Sequence, residues 1–312
     1  MNIAVDVRNL TKHYGDINAV DHISFTVNQG EIFGFLGPNG AGKTTTIRIL
    51  TGIIKPDEGT ATIMGYNIEK EPLKTKQIMG IVPEMSNAYI DLSAWNNLML
   101  IGELYGVPKR QRIERAEKLL KQFDLYDRRD QLVRGFSKGM KQRLILCMAL
   151  INEPAILFLD EPTSGLDVES GRLIKDMIRE LNRNGTTVFL TTHNMEEANQ
   201  LCNRVAIINH GRIAAIDSPE KLRLKSSGLQ SIEVSFNQPV NTDELTKIPC
   251  IKQVKKMGDK IKLYVDEPNE AINCLIEHAR SHNLKVITLN TLAPSLEEVF
   301  IKLTRQENSK GD

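Results

Sequence analysis

Residues 37–44 have the types and spacing needed to hold phosphate groups. They fit the pattern GxxxxGK[ST] between an apolar strand candidate and a helical stretch, 44–50. Glycines let backbone amides turn inward around a phosphate, Lys43 would neutralise the β- and γ-phosphate oxygens during catalysis, and the Thr44 hydroxyl could bind Mg²⁺. A ligand-free glycine-rich turn would not need the lysine. The residues predicted to contact a nucleotide here are Gly37, Pro38, Asn39, Gly40, Ala41, Gly42, Lys43, Thr44 and Thr45.

Two carboxylates, Asp160 and Glu161, close a second apolar segment, 156–160. Burying charged residues at a strand end is unfavourable unless a cation or a catalytic role compensates. Asp160 would hold Mg²⁺ directly or through water, and Glu161 would orient or deprotonate an attacking water molecule. The pair could instead cap a helix, but a triphosphate loop already requires a magnesium partner. The two motifs together predict hydrolysis of a nucleoside triphosphate.

Alternating apolar strands and helical patterns must position these motifs. They continue to about residue 217 and predict an α/β domain, residues 1–217, with a largely parallel central sheet. Strand candidates are 32–36, 156–160, 187–191 and 205–209. A more helical and charged insert, about residues 93–150, interrupts the pattern and is predicted to be a helical subdomain.

Beyond residue 217 the order of elements changes. A short helix opening at Pro219 and the small polar residues 226–228 make residues 218–228 a predicted linker. Residues 229–305 then alternate as strand 231–236, helix 242–248, strands 251–257 and 260–265, helix 269–281 and strand 284–289. This βαββαβ order predicts a small α+β, ferredoxin-like domain, followed by a helix with a capping box between Ser295 and Glu298. Residues 306–312 form a polar tail that we expect to fray.

Composition excludes several classes of protein. Forty basic and thirty-nine acidic side chains leave a formal net charge of +1, which gives no support to nucleic-acid binding. Four cysteines lack metal-ligand spacing and lie mostly in apolar stretches, so we expect buried, reduced thiols. The first ten residues lack the pattern of an export signal, and the longest apolar run, 144–151, is too short to span a membrane. Any membrane role is expected to come from a partner.

The motifs resemble those of the ATP-binding cassette (ABC) ATPases over about the first 217 residues. Residues 136–140, Phe-Ser-Lys-Gly-Met, are similar to the family's signature sequence, which closes over the γ-phosphate held by the opposite subunit. The resemblance implies that Ser137 donates a hydrogen bond and that Gly139 allows close approach, while helix 141–150 directs its N-terminal dipole at that phosphate. The implied contacts to the opposite subunit's ATP are Ser137, Lys138, Gly139 and Met140.

Four further residues take roles from the same resemblance. Ser164 and Asp167 lie in a segment similar to the D-loop, which crosses the dimer interface in this family. His193 matches the switch histidine that contacts the γ-phosphate, although a lone histidine is more often a structural residue. Tyr14 matches the aromatic residue that stacks on adenine, and its alternative role is that of a core tyrosine in an N-terminal strand.

Three residues depart from the common family pattern. Glu84 stands where most members have glutamine, and Lys138 and Met140 stand where glycine and glutamine are common. These variants resemble the branch that exports drugs or sodium through ABC-2-type permeases, as does the C-terminal segment 294–300. A carboxylate at Glu84 would bind Mg²⁺ more strongly than an amide, and would repel the γ-phosphate when the metal is absent. The predicted Mg²⁺ ligands are Thr44, Glu84 and Asp160, and Glu84 is also expected to contact the nucleotide.

The resemblance therefore implies the ATPase subunit of an exporter, peripheral on the cytoplasmic face of the cell membrane. Two subunits would enclose two MgATP molecules and drive an ABC-2-type integral membrane permease, without nucleic acid. The apolar segment 89–105 would receive a coupling helix of the permease, or serve as the core of its own subdomain. Soluble ABC ATPases of translation or DNA repair carry a second cassette or long coiled coils, neither of which this sequence shows. A non-hydrolysing regulatory module is disfavoured by Glu161 and His193, and an importer subunit is the closest rival.

Overall fold

The computed structural model describes residues 2–85, 88–225, 230–292 and 295–301. The chain divides into two compact units, the first ending at Ser218 and the second beginning at Pro219. In the described ranges, no helix is both long and apolar enough to cross a membrane. The predicted linker residues 226–228 and the predicted tail 306–312 lie outside the described residues.

The first unit contains ten strands and seven α-helices within its described residues. In chain order they are β1 (Ile3–Tyr14), β2 (Ile17–Asn28), β3 (Ile32–Leu36), α1 (Lys43–Leu50), β4 (Glu58–Ile63), β5 (Tyr66–Asn67), α2 (Pro72–Gln77), β6 (Met79–Val82), α3 (Ala94–Leu104), α4 (Lys109–Gln122), α5 (Lys138–Leu150), β7 (Ile156–Asp160), α6 (Val168–Arg183), β8 (Thr187–Thr192), α7 (Met195–Leu201), β9 (Arg204–Asn209) and β10 (Arg212–Asp217).

A six-stranded sheet in the order β10-β9-β3-β8-β7-β6 forms the centre of this unit. Strands β9, β3, β8, β7 and β6 are parallel to their neighbours, and β10 is antiparallel to β9. Every residue of β3, β7 and β8 is buried, which explains why β3 and most of β7 are continuous apolar runs. Because β3, β8 and β7 are adjacent and parallel, the residues that follow their carboxyl ends meet at one edge of the sheet.

A second, antiparallel sheet in the order β2-β1-β4-β5 packs against the first. Phe25 of β2 contacts Phe33, Phe35 and Phe189 of the central sheet, with ring centroids 5.5–6.0 Å apart. The sequence analysis anticipated an N-terminal strand, but not this sheet. Aromatic packing between the two sheets thus covers a face that helices cover in simpler α/β folds.

The segment predicted as a helical subdomain, residues 93–150, contains α3, α4 and α5, which contact one another. Ser93 caps α3, because its hydroxyl accepts a hydrogen bond from Asn96 N at 3.1 Å. Helix α5 begins at Lys138, three residues before the predicted start, because Ser137 Oγ accepts from Met140 N at 3.2 Å. Of the predicted signature, Phe136 precedes the helix, Ser137 caps it, and residues 138–140 form its first turn.

The elements of the second unit are α8 (Pro219–Lys225), β11 (Gln230–Phe236), α9 (Thr242–Leu245), β12 (Gln253–Met257), β13 (Lys260–Val265), α10 (Pro268–Ser281) and β14 (Val286–Leu292). Its four strands form an antiparallel sheet in the order β12-β13-β11-β14. Numbering these strands 1 to 4 along the chain gives the spatial order 2-3-1-4, which is the ferredoxin-like arrangement.

Boundaries in the second unit differ from prediction where apolar residues lie outside regular structure. Ile248 and Ile251 are buried in the core of this unit, although α9 ends at Leu245, before them, and β12 begins at Gln253, after them. An apolar pattern reports burial rather than backbone hydrogen bonding, so it overextended both elements. The predicted capping box is present: Ser295 N donates to Glu298 Oε2 at 2.9 Å, and Glu298 N donates to Ser295 Oγ at 3.2 Å.

The cysteines are only in part where the sequence analysis expected them. Cys147 and Cys202 are buried, and burial raises the pKa of both thiols. Cys250 and Cys274 of the second unit are half-buried instead. They are neighbours, and a hydrogen bond with Cys274 raises the pKa of the Cys250 thiol. The expectation of burial was therefore wrong for these two residues.

Candidate active site

The phosphate loop connects β3 to α1 with a backbone that only glycine tolerates at several points. Gly40 and Gly42 have φ angles of 80° and 105°, in the left-handed region. A side chain at Gly37 would collide with the carbonyl oxygen of Ile208, and one at Gly42 with that of Ala19. The neighbouring backbone thus fits closely around the loop. The loop leads into the N-terminus of α1, where helical backbone amides are suited to bind a phosphate.

Lys43 is the first residue of α1, and its side chain is 5% exposed. Its ammonium group donates hydrogen bonds to the carbonyl oxygens of Gly37 at 2.7 Å and Pro38 at 3.0 Å. It also lies 3.2 Å from Glu161 Oε1. The phosphate loop therefore closes on a buried cation that is already paired with Glu161, the residue that follows β7.

Asp160 is the last residue of β7 and Glu161 follows it, next to Thr191 of β8. Thr191 Oγ1 donates to Asp160 Oδ1 at 2.5 Å and accepts from Glu161 N at 3.1 Å, so one hydroxyl positions both acidic residues. Thr44 Oγ1 donates to Asp160 Oδ1 at 3.4 Å. Glu161 has a φ angle of +51°, which is uncommon for a residue other than glycine and is a form of strain found at functional sites.

Glu161 also contacts His193, which follows β8. His193 Nδ1 lies 2.7 Å from Glu161 Oε2, and the histidine side chain is half exposed. One oxygen of the buried carboxylate thus faces Lys43, and the other faces the histidine. The structure therefore brings together the three residues that the sequence analysis proposed as catalytic.

A cavity of about 570 Å³ opens beside these residues. Residues from five separate parts of the chain line it. They are Asp16, Ile17, Asn18, Ala19, Asn39, Gly40, Gly42, Lys43, Thr44, Thr45, Glu84, Glu161 and His210. The cavity has room for a nucleotide, and Glu84 lines it together with residues of the phosphate loop.

Tyr14 precedes the lining residue Asp16 by two positions in the sequence, but it is not among the described residues that line the cavity. Its ring is 49% exposed and lies 5.8 Å from Lys12 Nζ. The exposed ring rules out the alternative of a core tyrosine. Stacking of Tyr14 on adenine stays a prediction.

The signature and D-loop segments pack against each other within the chain. A side chain at Gly139 would lie 2.5 Å from Ser170 Oγ of α6, so glycine permits α5 and α6 to approach. Lys138 Nζ occupies the space next to Gly165. Asp167 caps α6 by accepting from Ser170 N at 2.8 Å, and its hydrogen bonds to Ser170 lower the pKa of the Asp167 carboxyl. Neither segment is among the described residues that line the cavity.

Supporting residues were missed by the motif analysis. Thr191 was assigned only to a strand, and Glu197 was not considered. Glu197 is buried on α7 and accepts a hydrogen bond from Thr163 Oγ1 at 2.6 Å, which ties α7 to the turn that follows Glu161. The sequence offered no distinct signal for Thr191, since it is one of three threonines in β8.

Comparison with known proteins agrees with this geometry. The ABC transporter family profile matches residues 20–164, and the profile "ATP-binding protein DrrA1-3-like, C-terminal domain" matches residues 218–304. The Nod factor export ATP-binding protein I of Sinorhizobium fredii is 36% identical over 308 residues, which are 98% of this chain and 87% of that protein. The linearmycin resistance ATP-binding protein LnrL of Bacillus subtilis is 35% identical over 305 residues, which are 96% of this chain and 98% of LnrL.

Among solved structures, a dimeric ATP-binding cassette in a post-hydrolysis state, bound to ADP and Pi, superposes with a TM-score of 0.62. It is 27% identical, and the match covers 69% of this chain and 98% of the cassette. Relatives that match almost the whole length of the chain at more than 30% identity, together with the phosphate loop and the paired carboxylates, establish the family. The chain is an ATPase of the ABC transporter family that carries a DrrA-like C-terminal domain.

Proposed function

We propose that this ATPase hydrolyses MgATP at a site completed by a second nucleotide-binding subunit, and thereby drives an exporter. The observation that supports this proposal most directly is the buried Glu161 carboxylate beside the cavity. It lies between Lys43 Nζ at 3.2 Å and His193 Nδ1 at 2.7 Å. In this role Glu161 accepts the proton of the attacking water, and Lys43 moves from its carbonyl partners to the β- and γ-phosphate oxygens. His193, half exposed, contacts the γ-phosphate and holds the carboxylate in place.

The residues at the cavity fit a magnesium ion. Thr44 Oγ1 and Asp160 Oδ1 lie 3.4 Å apart, and Glu84 adds an exposed carboxylate on the lining of the same cavity. Oxygen donors of this kind suit Mg²⁺, which is bound through one or two carboxylates and completes its shell with water and phosphate. When bound, the ion would neutralise charge on the β- and γ-phosphates. Thr44, Glu84 and Asp160 are its proposed ligands.

A second subunit is proposed because one chain supplies only part of the contacts that its ATP requires. In the described chain, the signature at the start of α5 lies apart from the lining of the cavity. Ser137 Oγ already accepts from Met140 N, which leaves its hydroxyl hydrogen free to donate to a phosphate of the other subunit's ATP. The structurally similar cassette described above is a dimer.

The export role rests on the relatives, which include a Nod factor export protein and a linearmycin resistance protein. Apolar side chains next to Glu84 suit a membrane partner: Met85 is 83% exposed, and Tyr89 and Ile90 are about half exposed. Leu98, in the same segment, is buried in the helical subdomain. We therefore assign docking of an ABC-2-type permease to the exposed residues, and core packing to the buried ones. We further propose that the chain lies peripherally on the cytoplasmic face of the membrane.

Affinity purification from native membranes tests the export proposal. The tagged chain is expected to retain an integral membrane protein of the ABC-2 type, identified by mass spectrometry. Replacing Met85 and Ile90 with serine should lower that recovery while leaving ATP hydrolysis in detergent-free solution unchanged. Recovery of an importer-type permease with a solute-binding protein would contradict the proposal, as would undiminished recovery in the variant.

Thr191→Val is expected to lower ATP turnover by roughly 10- to 100-fold, the usual cost of losing a residue that orients an active-site group. Valine has nearly the shape of threonine, but it removes the hydroxyl that holds Asp160 and the Glu161 amide. Phosphate release at saturating MgATP measures the effect. Thr187→Val is the matched control, because Thr187 is buried in the same strand and bonds Gly30 N at 3.0 Å, at the strand's opposite end. Equal turnover in the two variants would contradict the positioning role.

Glu84→Gln is expected to shift the Mg²⁺ concentration required for half-maximal turnover. The carboxylate attracts the metal ion and repels an uncoordinated γ-phosphate, whereas an amide does neither strongly. Activity of the native enzyme should therefore fall more steeply as Mg²⁺ is withdrawn. Titration of phosphate release against Mg²⁺ at fixed ATP compares the two proteins, and superimposable curves would refute the role of Glu84.

A further inference from the structure

Three side chains that could bind a metal ion come together on the second unit. Glu244 of α9, His278 of α10 and His282, the residue after α10, each offer one donor atom, and these atoms lie within 4.8 Å of one another. Two of the six histidines of the chain are in this group. Their spacing of four residues places both imidazoles on one face of α10, with ring centroids 4.1 Å apart.

The hydrogen bonds of His282 prepare its ring for coordination. Its Nδ1 lies 3.0 Å from the carbonyl oxygen of His278, and Ser281 Oγ lies 3.0 Å from the same nitrogen. A carbonyl oxygen only accepts, so this contact places the ring hydrogen on Nδ1 and leaves the lone pair on Nε2. Metal-binding histidines commonly donate their second ring nitrogen to a backbone carbonyl in this way.

His278 contributes a ring nitrogen that the surrounding protein leaves without a partner. Its Nε2 is buried and has no hydrogen bond within the part of the chain that the structure describes. Buried polar atoms are nearly always paired, so an unpaired one indicates a missing partner. Coordination through this atom would supply it.

The set of donors selects the class of ion. Two imidazoles and one carboxylate are the donors that Zn²⁺ and similar divalent transition metals prefer, and Mg²⁺ or Ca²⁺ would require oxygen donors throughout. The observed 4.8 Å limit is wider than the roughly 3.4 Å that separates donors around zinc at bond lengths of 2.0–2.1 Å. Glu244 and His282 are exposed, and rotation of these side chains can close the difference.

We propose that Glu244, His278 and His282 form a binding site for a divalent transition-metal ion of the zinc class. The site joins α9 to the carboxyl end of α10 and leaves a fourth position for water. Cys250 and Cys274 of the same unit contact each other, but neither belongs to the group of donors that lie within 4.8 Å of one another. All of its residues belong to the second unit, whereas the candidate ATP site belongs to the first.

Calorimetric titration of the full-length chain with zinc chloride tests the proposal, with the affinity tag removed and nucleotide absent. One zinc ion is expected to bind per native chain at this site. His282→Gln and Glu244→Gln alter exposed side chains and are each expected to weaken that binding by at least about tenfold, since loss of an outer-shell partner alone costs that much. Cobalt in place of zinc should give visible absorption without a thiolate charge-transfer band.

Two controls separate this site from other zinc-binding groups. His22→Gln removes an exposed histidine that lies 2.6 Å from Asp21 and 3.6 Å from Glu58, and it should leave the affinity unchanged. The double variant Cys250→Ser, Cys274→Ser should also leave it unchanged. The proposal is overturned if the native chain binds no zinc, if His282→Gln binds as the native chain does, or if either control abolishes binding.

Discussion

Glu161→Gln is expected to bind ATP normally while its turnover falls by roughly 10²- to 10⁴-fold, the usual contribution of a general base. Glutamine preserves the size of the side chain and its place between Lys43 and His193, but an amide does not take up the proton of the attacking water. The ATP-bound state then persists. If ATP joins two subunits, the variant should accumulate as a dimer at saturating MgATP.

Phosphate release and sedimentation of the same samples measure the two consequences of Glu161→Gln. Glu31→Gln is the matched control, because Glu31 is also buried and paired, in its case with Arg204 at 3.3 Å. It lies before β3, at the opposite end from the phosphate loop, so turnover should be unchanged. A Glu161→Gln chain that remains monomeric with saturating MgATP would contradict the two-subunit site.

Lys43→Met is expected to weaken ATP binding by roughly 10- to 150-fold. Methionine approximates the length of the lysine side chain but removes a charged donor to the phosphates, worth about 1.5–3 kcal/mol, which corresponds to that range of affinity. The substitution also leaves the buried Glu161 carboxylate without its cation at 3.2 Å. Turnover should therefore fall further than the loss of affinity alone explains.

Titration with a fluorescent ATP analogue measures the affinity of Lys43→Met. Lys262→Met is the matched control, since Lys262 is also largely buried and paired, here with Glu298 at 2.8 Å in the second unit. It should bind the analogue as the native chain does. An unchanged affinity in Lys43→Met would refute the phosphate-binding role of the loop, and so would a native chain that shows no heat of binding with MgATP.

Local pattern alone determined the parts of this protein that depend on neighbouring residues. The glycines and lysine of the phosphate loop have fixed spacing, and β3 and β7 are continuous apolar runs because both of their faces are buried. The βαββαβ order of the second unit followed from alternating patterns and one tight turn at Gly258. Element ends were less certain, as at Ile248 and Ile251, where burial continues beyond the hydrogen-bonded elements.

Tertiary structure alone decided which of these segments meet. Thr191 touches Asp160 across 31 positions of sequence, and Thr44 touches Asp160 across 116, because β8 lies between β3 and β7 in the sheet. The cavity wall at residues 16–19 and His210, and the group of Glu244 with two histidines, arise in the same way. Motifs specify side-chain chemistry, whereas strand order and helix packing set the distances between groups remote in the chain, and no local pattern encodes those distances.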